Sequence, residues 1–73
     1  GRADAHVPRE HSKMGRVIIE DDVLICTGAV ILNKQGDMII GKGTVVAANA
    51  VLTRSTGPGE LWGGVPARMM RRL

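Results

Sequence analysis

A large aliphatic residue recurs at every sixth position, at Ile19, Ile25 and Ile31 and again at Ile40, Val46 and Leu52. Residues 19–32, IEDDVLICTGAVIL, align with residues 40–53, IGKGTVVAANAVLT, and the two stretches match in character nearly column by column. Ile19 falls on Ile40, Val23 on Thr44, Ile25 on Val46, Ala29 on Ala50 and Ile31 on Leu52. A period of six fits neither the 3.6 of a helix nor the alternation of one long strand. Short alternating segments separated by turns produce it. Gly41, Gly43 and Asn49 stand where such turns fall, residues suited to left-handed backbone. The pattern predicts an all-β solenoid of short parallel strands.

The two copies are offset by more than a whole number of hexads. The surplus maps to residues 33–38, a polar, glycine-containing stretch that reads as a protruding loop. Three segments result: a polar arm over 1–15, repeat coils over 16–54, and a turn followed by a short C-terminal α-helix within 55–73. The helix expectation rests on Pro66 as a first helical residue, good helix formers after it, and Arg71 and Arg72 near its negative end.

With 73 residues the chain makes at most one domain. A domain of this size buries only about 60% of the surface its unfolded chain exposes. Trp62 is the only aromatic residue and Cys26 the only cysteine, so neither aromatic anchors nor an internal disulfide can supply the missing stability. Oligomerisation is the simplest substitute, and the lone thiol points to a reducing, cytoplasmic setting. Gly1 opens the chain without an initiator methionine or the apolar stretch of a signal peptide, as in a fragment or a processed chain. No apolar run approaches the roughly 20 residues of a membrane span. The formal charge of +3 owes much to Arg68, Arg71 and Arg72, which suits a local anion site. There is no phosphate-binding P-loop, dinucleotide fingerprint or aromatic ladder for reading nucleic acid.

The hexads IEDDVL, ICTGAV, IGKGTV and VAANAV, with the ending GGVPARMMRRL, resemble the C-terminal part of a hexapeptide-repeat acyltransferase. The nearest likeness is to the maltose and galactoside O-acetyltransferase group. The resemblance implies a left-handed parallel β-helix assembled as a homotrimer, with acetyl-CoA or another acyl-CoA as co-substrate between subunits. It implies direct acyl transfer to a hydroxyl, or less readily an amino group, of a small acceptor, without a resident metal, a nucleic-acid partner or a membrane.

The segment Asp4–Glu10 is similar to the family's catalytic loop, which puts the general base on His6. An imidazole with a pKa of about 6.5 can take a proton from an attacking hydroxyl. The same resemblance carries cofactor contacts to Thr27 and Ala48, matching columns where a pantetheine arm can run past small side chains. It carries others to Thr53 and Arg54, where the family has a Thr-Lys pair, and to Arg68 and Arg71 near the CoA phosphates, whose forked donors suit phosphate oxygens.

Two alternatives stand beside this reading. One is a repeat module that assembles and binds a ligand but catalyses nothing. The other is a zinc protein like the γ-class carbonic anhydrases, suggested by His6, His11 and the Leu61-Trp62 pair, although a catalytic zinc normally keeps three protein ligands. Cys26 reads as a small filler beside Thr27, residues 20–22 as solvated turn acids, and Trp62 as a cap over the coil end.

Overall fold

The structure is a computed structural model and describes residues 14–34 and 36–73. The described chain consists of β1 (Met14–Ile19), β2 (Leu24–Ile25), β3 (Val30–Ile31), β4 (Gly36–Ile40), β5 (Val45–Val46), β6 (Val51–Leu52), β7 (Glu60–Gly64) and β8 (Ala67–Arg72). Three sheets form: β1-β4, β2-β5-β7-β8 and β3-β6. The chain visits the three sheets in turn and then returns to each beside its first strand, in parallel. The observed pairs Ile19↔Ile40, Ile25↔Val46 and Ile31↔Leu52 are the columns of the sequence repeat. No helix in the described residues is long and apolar enough to cross a membrane.

Alternation explains the two-sided character of each strand. Ile40, Val46 and Leu52 are fully buried, and with Met38, Ala50, Trp62 and Ala67 they form the core. Val23, Ile25, Ala29 and Ile31 of the first copy pack against that cluster from below. A buried aliphatic of this kind contributes about 1.5–3 kcal/mol over its exposed state. Trp62 pairs with Val46 and joins the core, so the large ring lies over the stacked aliphatics as a cap would. At the other end β1, β2 and β3 each have a pairing partner on one side only. There Ile19, Leu24 and Val30 are half-exposed or more.

The turns follow the expected chemistry in part. Gly43 and Asn49 adopt left-handed backbone, with φ of 75° and 61°, and Asp22 does so as well at 63°. Gly41 serves another purpose: its backbone runs so close to Gly57 that a Cβ would collide with the Gly57 carbonyl.

Two expectations are corrected. The C-terminal α-helix is absent, and residues 60–72 form an antiparallel hairpin in which Trp62 pairs with Met69 and Gly63 with Arg68. Val65 and Pro66, joined by a cis peptide bond, occupy the turn. An isolated helix of eight residues is marginal in water, whereas β7 offers a ready edge whose ladder bonds β8 completes. The protruding loop over 33–38 is also shorter than expected, because Gly36–Met38 belong to β4. Met38 is buried two positions before Ile40, as period-two alternation requires. Asp37 faces outward and is tied to Arg16 of β1 by a backbone hydrogen bond of 3.0 Å and an ion pair of 3.4 Å.

Candidate functional site

The second sheet carries the most informative outer face. Ile25, Val46 and Trp62 point to the core, so Leu24, Val45 and Leu61 form one outward column across β2, β5 and β7. The next outward positions are Cys26, Ala47 and Gly63. They are linked by hydrogen bonds from the Cys26 N–H to the Val46 carbonyl (2.9 Å) and from the Ala47 N–H to the Trp62 carbonyl (2.8 Å). This column is small-sided throughout. Cys26 is a free thiol within it.

β8 adds the charge. Residues directly opposed in an antiparallel pair share a face, and Arg68 opposes Gly63 while Arg71 opposes Leu61. Both guanidinium groups therefore rise from the outer face, beside the small column. The ladder shifts register between Leu61 and Trp62, and the extra residue on β8, Met70, lays its sulfur over Gly63, 2.8 Å from where a Cβ would stand. A Cβ at position 63 would displace the Met70 sulfur from that contact. Arg72 falls on the other face, opposite Glu60. Among the described residues the sole ion pair is Arg16–Asp37, so Arg68 and Arg71 present their forked donors to solvent.

Thr27 and Ala48 lie at the corner after β2 and β5. The Asn49 N–H donates to the Thr27 carbonyl at 3.0 Å, which stacks the two turns, and both residues are exposed. Thr53 and Arg54 follow β6 at the next corner around. The fold thus joins Thr27 with Ala48 and Arg68 with Arg71 along the second sheet, and it leaves Thr53 and Arg54 beyond the third. His6 and His11 fall outside the described residues. Among the described residues no three His, Cys, Asp or Glu side chains gather as a metal site would require. Glu20 and Asp21 line an open cleft with Lys42, and the Lys42 N–H donates to Glu20 Oε1 at 3.0 Å.

A polar network went unread in the sequence. Fully buried Thr44 donates its hydroxyl to the Gly57 carbonyl at 2.7 Å and accepts from the Glu60 N–H at 3.2 Å. Thr56 Oγ1 accepts from the Gly41 N–H at 2.9 Å, and Ser55 Oγ accepts from the Ile39 N–H at 2.9 Å. These two hydroxyls take the place of a further strand along β4. Glu60 Oε1 accepts from Trp62 Nε1 at 2.9 Å and from the Gly57 N–H at 2.8 Å. The Trp62 bond first, then that of Gly57, holds the Glu60 carboxyl below its ordinary pKa, and the charge of Arg72 adds to this. Asp37 is likewise held low, first by the Arg16 N–H and then by its side chain. The only sequence signal was a run of hydroxyl residues next to a glycine-rich turn, a pattern shared by many surface loops.

The chain is similar to the 2,3,4,5-tetrahydropyridine-2,6-dicarboxylate N-acetyltransferases of Staphylococcus aureus strains JH9, JH1 and Mu3. Each is 45% identical over 56 residues, which cover 77% of this chain and 22% of the relative. The chain is a partial homologue of these acetyltransferases. It spans about a fifth of their length. By name they transfer acetyl to nitrogen, whereas the motif resemblance pointed first to the O-acetyltransferase group. No protein-family profile matches the chain.

Proposed function

We propose that this chain is a left-handed, hexapeptide-repeat segment of a cytoplasmic, homotrimeric acyltransferase. It moves an acetyl or other acyl group from CoA to an amino or hydroxyl group of a small acceptor. One observation carries the reading: Arg68 and Arg71 share an outer face with the small column Cys26, Ala47 and Gly63. Such a face suits a ligand with a slender arm and an anionic end. The arm passes Cys26 and Ala47 of the small column and the exposed Thr27 and Ala48, and the guanidinium groups meet phosphate oxygens. Partial homology to N-acetyltransferases supports the same chemistry and raises the amino acceptor to equal rank with the hydroxyl. Because Thr53 and Arg54 stand beyond another sheet, they serve the same ligand by being supplied from a neighbouring copy. That arrangement makes the trimer part of the site.

In this reading His6 takes the proton of the acceptor as its nitrogen or oxygen attacks the thioester carbonyl. A backbone amide stabilises the oxyanion, and collapse of the tetrahedral centre releases CoA without an acyl-enzyme. Calorimetric titration with acetyl-CoA and with CoA tests the cofactor half. Saturable micromolar binding that weakens in Arg68→Ala and Arg71→Ala is expected, and no binding by a trimer of measured mass overturns it. An acceptor screen with His6→Ala as control tests the chemistry. Binding without turnover on any amine or alcohol would make the chain an assembly and ligand-binding module.

A further inference from the structure

β8 is the outermost strand of the four-stranded sheet, and among the described residues nothing pairs with its far edge. All of its residues from Arg68 to Arg72 are exposed, as is Leu73 beyond them. These five residues of β8, of which alternate ones turn their N–H and C=O groups away from β7, are a template for another extended chain, since unpaired N–H and C=O groups accept a new strand. The side chains decide which chain. Arg68 and Arg71 occupy one face and Arg72 the other, so a strand laid along β8 meets positive charge on both sides. None of the three arginines has an acidic partner within ion-pair distance among the described residues. Glu60, paired opposite Arg72, accepts from Trp62 and Gly57 and makes no ion pair with it. A second copy pairing β8 against β8 would oppose arginine to arginine, which is unfavourable across a ladder.

We infer that the β8 edge docks an extended acidic segment of a partner protein as an added strand. Main-chain bonds to β8 provide the affinity, the arginines select the sign of the charge, and Met69 and Met70 offer adaptable apolar contact between them. This goes beyond acyl transfer and does not require it, although the segment and a CoA phosphate would draw on the same Arg68 and Arg71.

The test is fluorescence anisotropy with a labelled octapeptide of alternating Glu and Val, without CoA, at 50 and 300 mM salt. A matched Glu-Pro octapeptide of two Glu-Glu-Pro-Pro repeats keeps the charge but removes N–H donors from both edges of the strand, and one of alternating Lys and Val reverses the charge. We expect saturable binding of the Glu-Val peptide, at least tenfold weaker binding of the Glu-Pro peptide, and none of the Lys-Val peptide. We also expect Arg68→Glu/Arg72→Glu, checked for folding by circular dichroism, to lose the Glu-Val peptide. Equal binding of the Glu-Val and Glu-Pro peptides would overturn strand addition, leaving a diffuse electrostatic contact. Absence of binding would overturn the inference outright. CoA enters neither outcome, so failure here leaves the acyltransferase reading standing, and failure of CoA titration leaves this one standing.

Discussion

Replacing Thr44 by valine tests how far a single buried hydroxyl holds the closed end of the fold together. Valine keeps the shape of the side chain and removes the oxygen. Two hydrogen bonds are lost, to the Gly57 carbonyl and from the Glu60 N–H, together with a longer contact of 3.4 Å to Thr56. The Gly57 carbonyl keeps the Thr56 hydroxyl at 3.0 Å, so the Glu60 N–H bears most of the loss. At about 1 kcal/mol per bond, with a further penalty for a donor left unmet, Thr44→Val costs about 2–3 kcal/mol. A domain of 73 residues has roughly 4–11 kcal/mol of stability in total, so the loss is a large share. Urea unfolding read by Trp62 fluorescence is the assay, at one fixed protein concentration because assembly shifts the midpoint. With m near 1 kcal/mol per molar urea, the midpoint falls by about 2–3 M. Thr44→Ser, which keeps the hydroxyl and loses one methyl, costs only about 1 kcal/mol. A valine variant as stable as the serine variant would refute the view that the network, and not the packing of the side chain, stabilises this end.

Three further outcomes follow from the same geometry. Ile40→Ala removes most of a fully buried side chain and lowers stability by about 2–5 kcal/mol in the same urea assay. Gly41→Ala forces a Cβ into the Gly57 carbonyl and costs about 1–3 kcal/mol by overpacking, whereas Gly59→Asn, with open space around it and a φ of 61°, changes the midpoint little. Glu60 has a depressed folded pKa, so its contribution is complete above the unfolded carboxylate pKa and is lost as pH falls through the lower, folded value. In Glu60→Gln the acid limb of stability against pH is therefore shallower below the ordinary carboxylate range, measured by the thermal midpoint.

The repeat was legible because stacking sets residues of matching character in one column. Ile19 over Ile40 and Ile31 over Leu52 are both sequence matches and strand partners, so the period alone gave the register. The hairpin was not legible. Ala67–Arg72 carries helix formers, and only the open edge of β7, a tertiary feature, overrides their local preference. Asp37 and Met38 were misread for a related reason: a polar residue next to an apolar one looks like a loop until a neighbour fixes which side faces the core. Of the site, the charge at Arg68 and Arg71 was visible, but their common face depends on a register shift that no local pattern announces. The Thr44, Thr56 and Glu60 network was invisible because Thr44 stands 12 and 16 residues before its two partners.

The Ser55 and Thr56 hydroxyls along β4 give the stack a polarity with a practical meaning. Their oxygens occupy the N–H groups that another coil would use, so one end carries a built-in stop while β1, β2 and β3 at the other retain free edges among the described residues. Such an array is extensible by interior duplication: a second copy of residues 19–39, inserted after residue 39, carries its own columns and disturbs neither terminus. Each added turn would lengthen the body by about 4.8 Å and give the small-sided column another rung, making span an adjustable property of the scaffold.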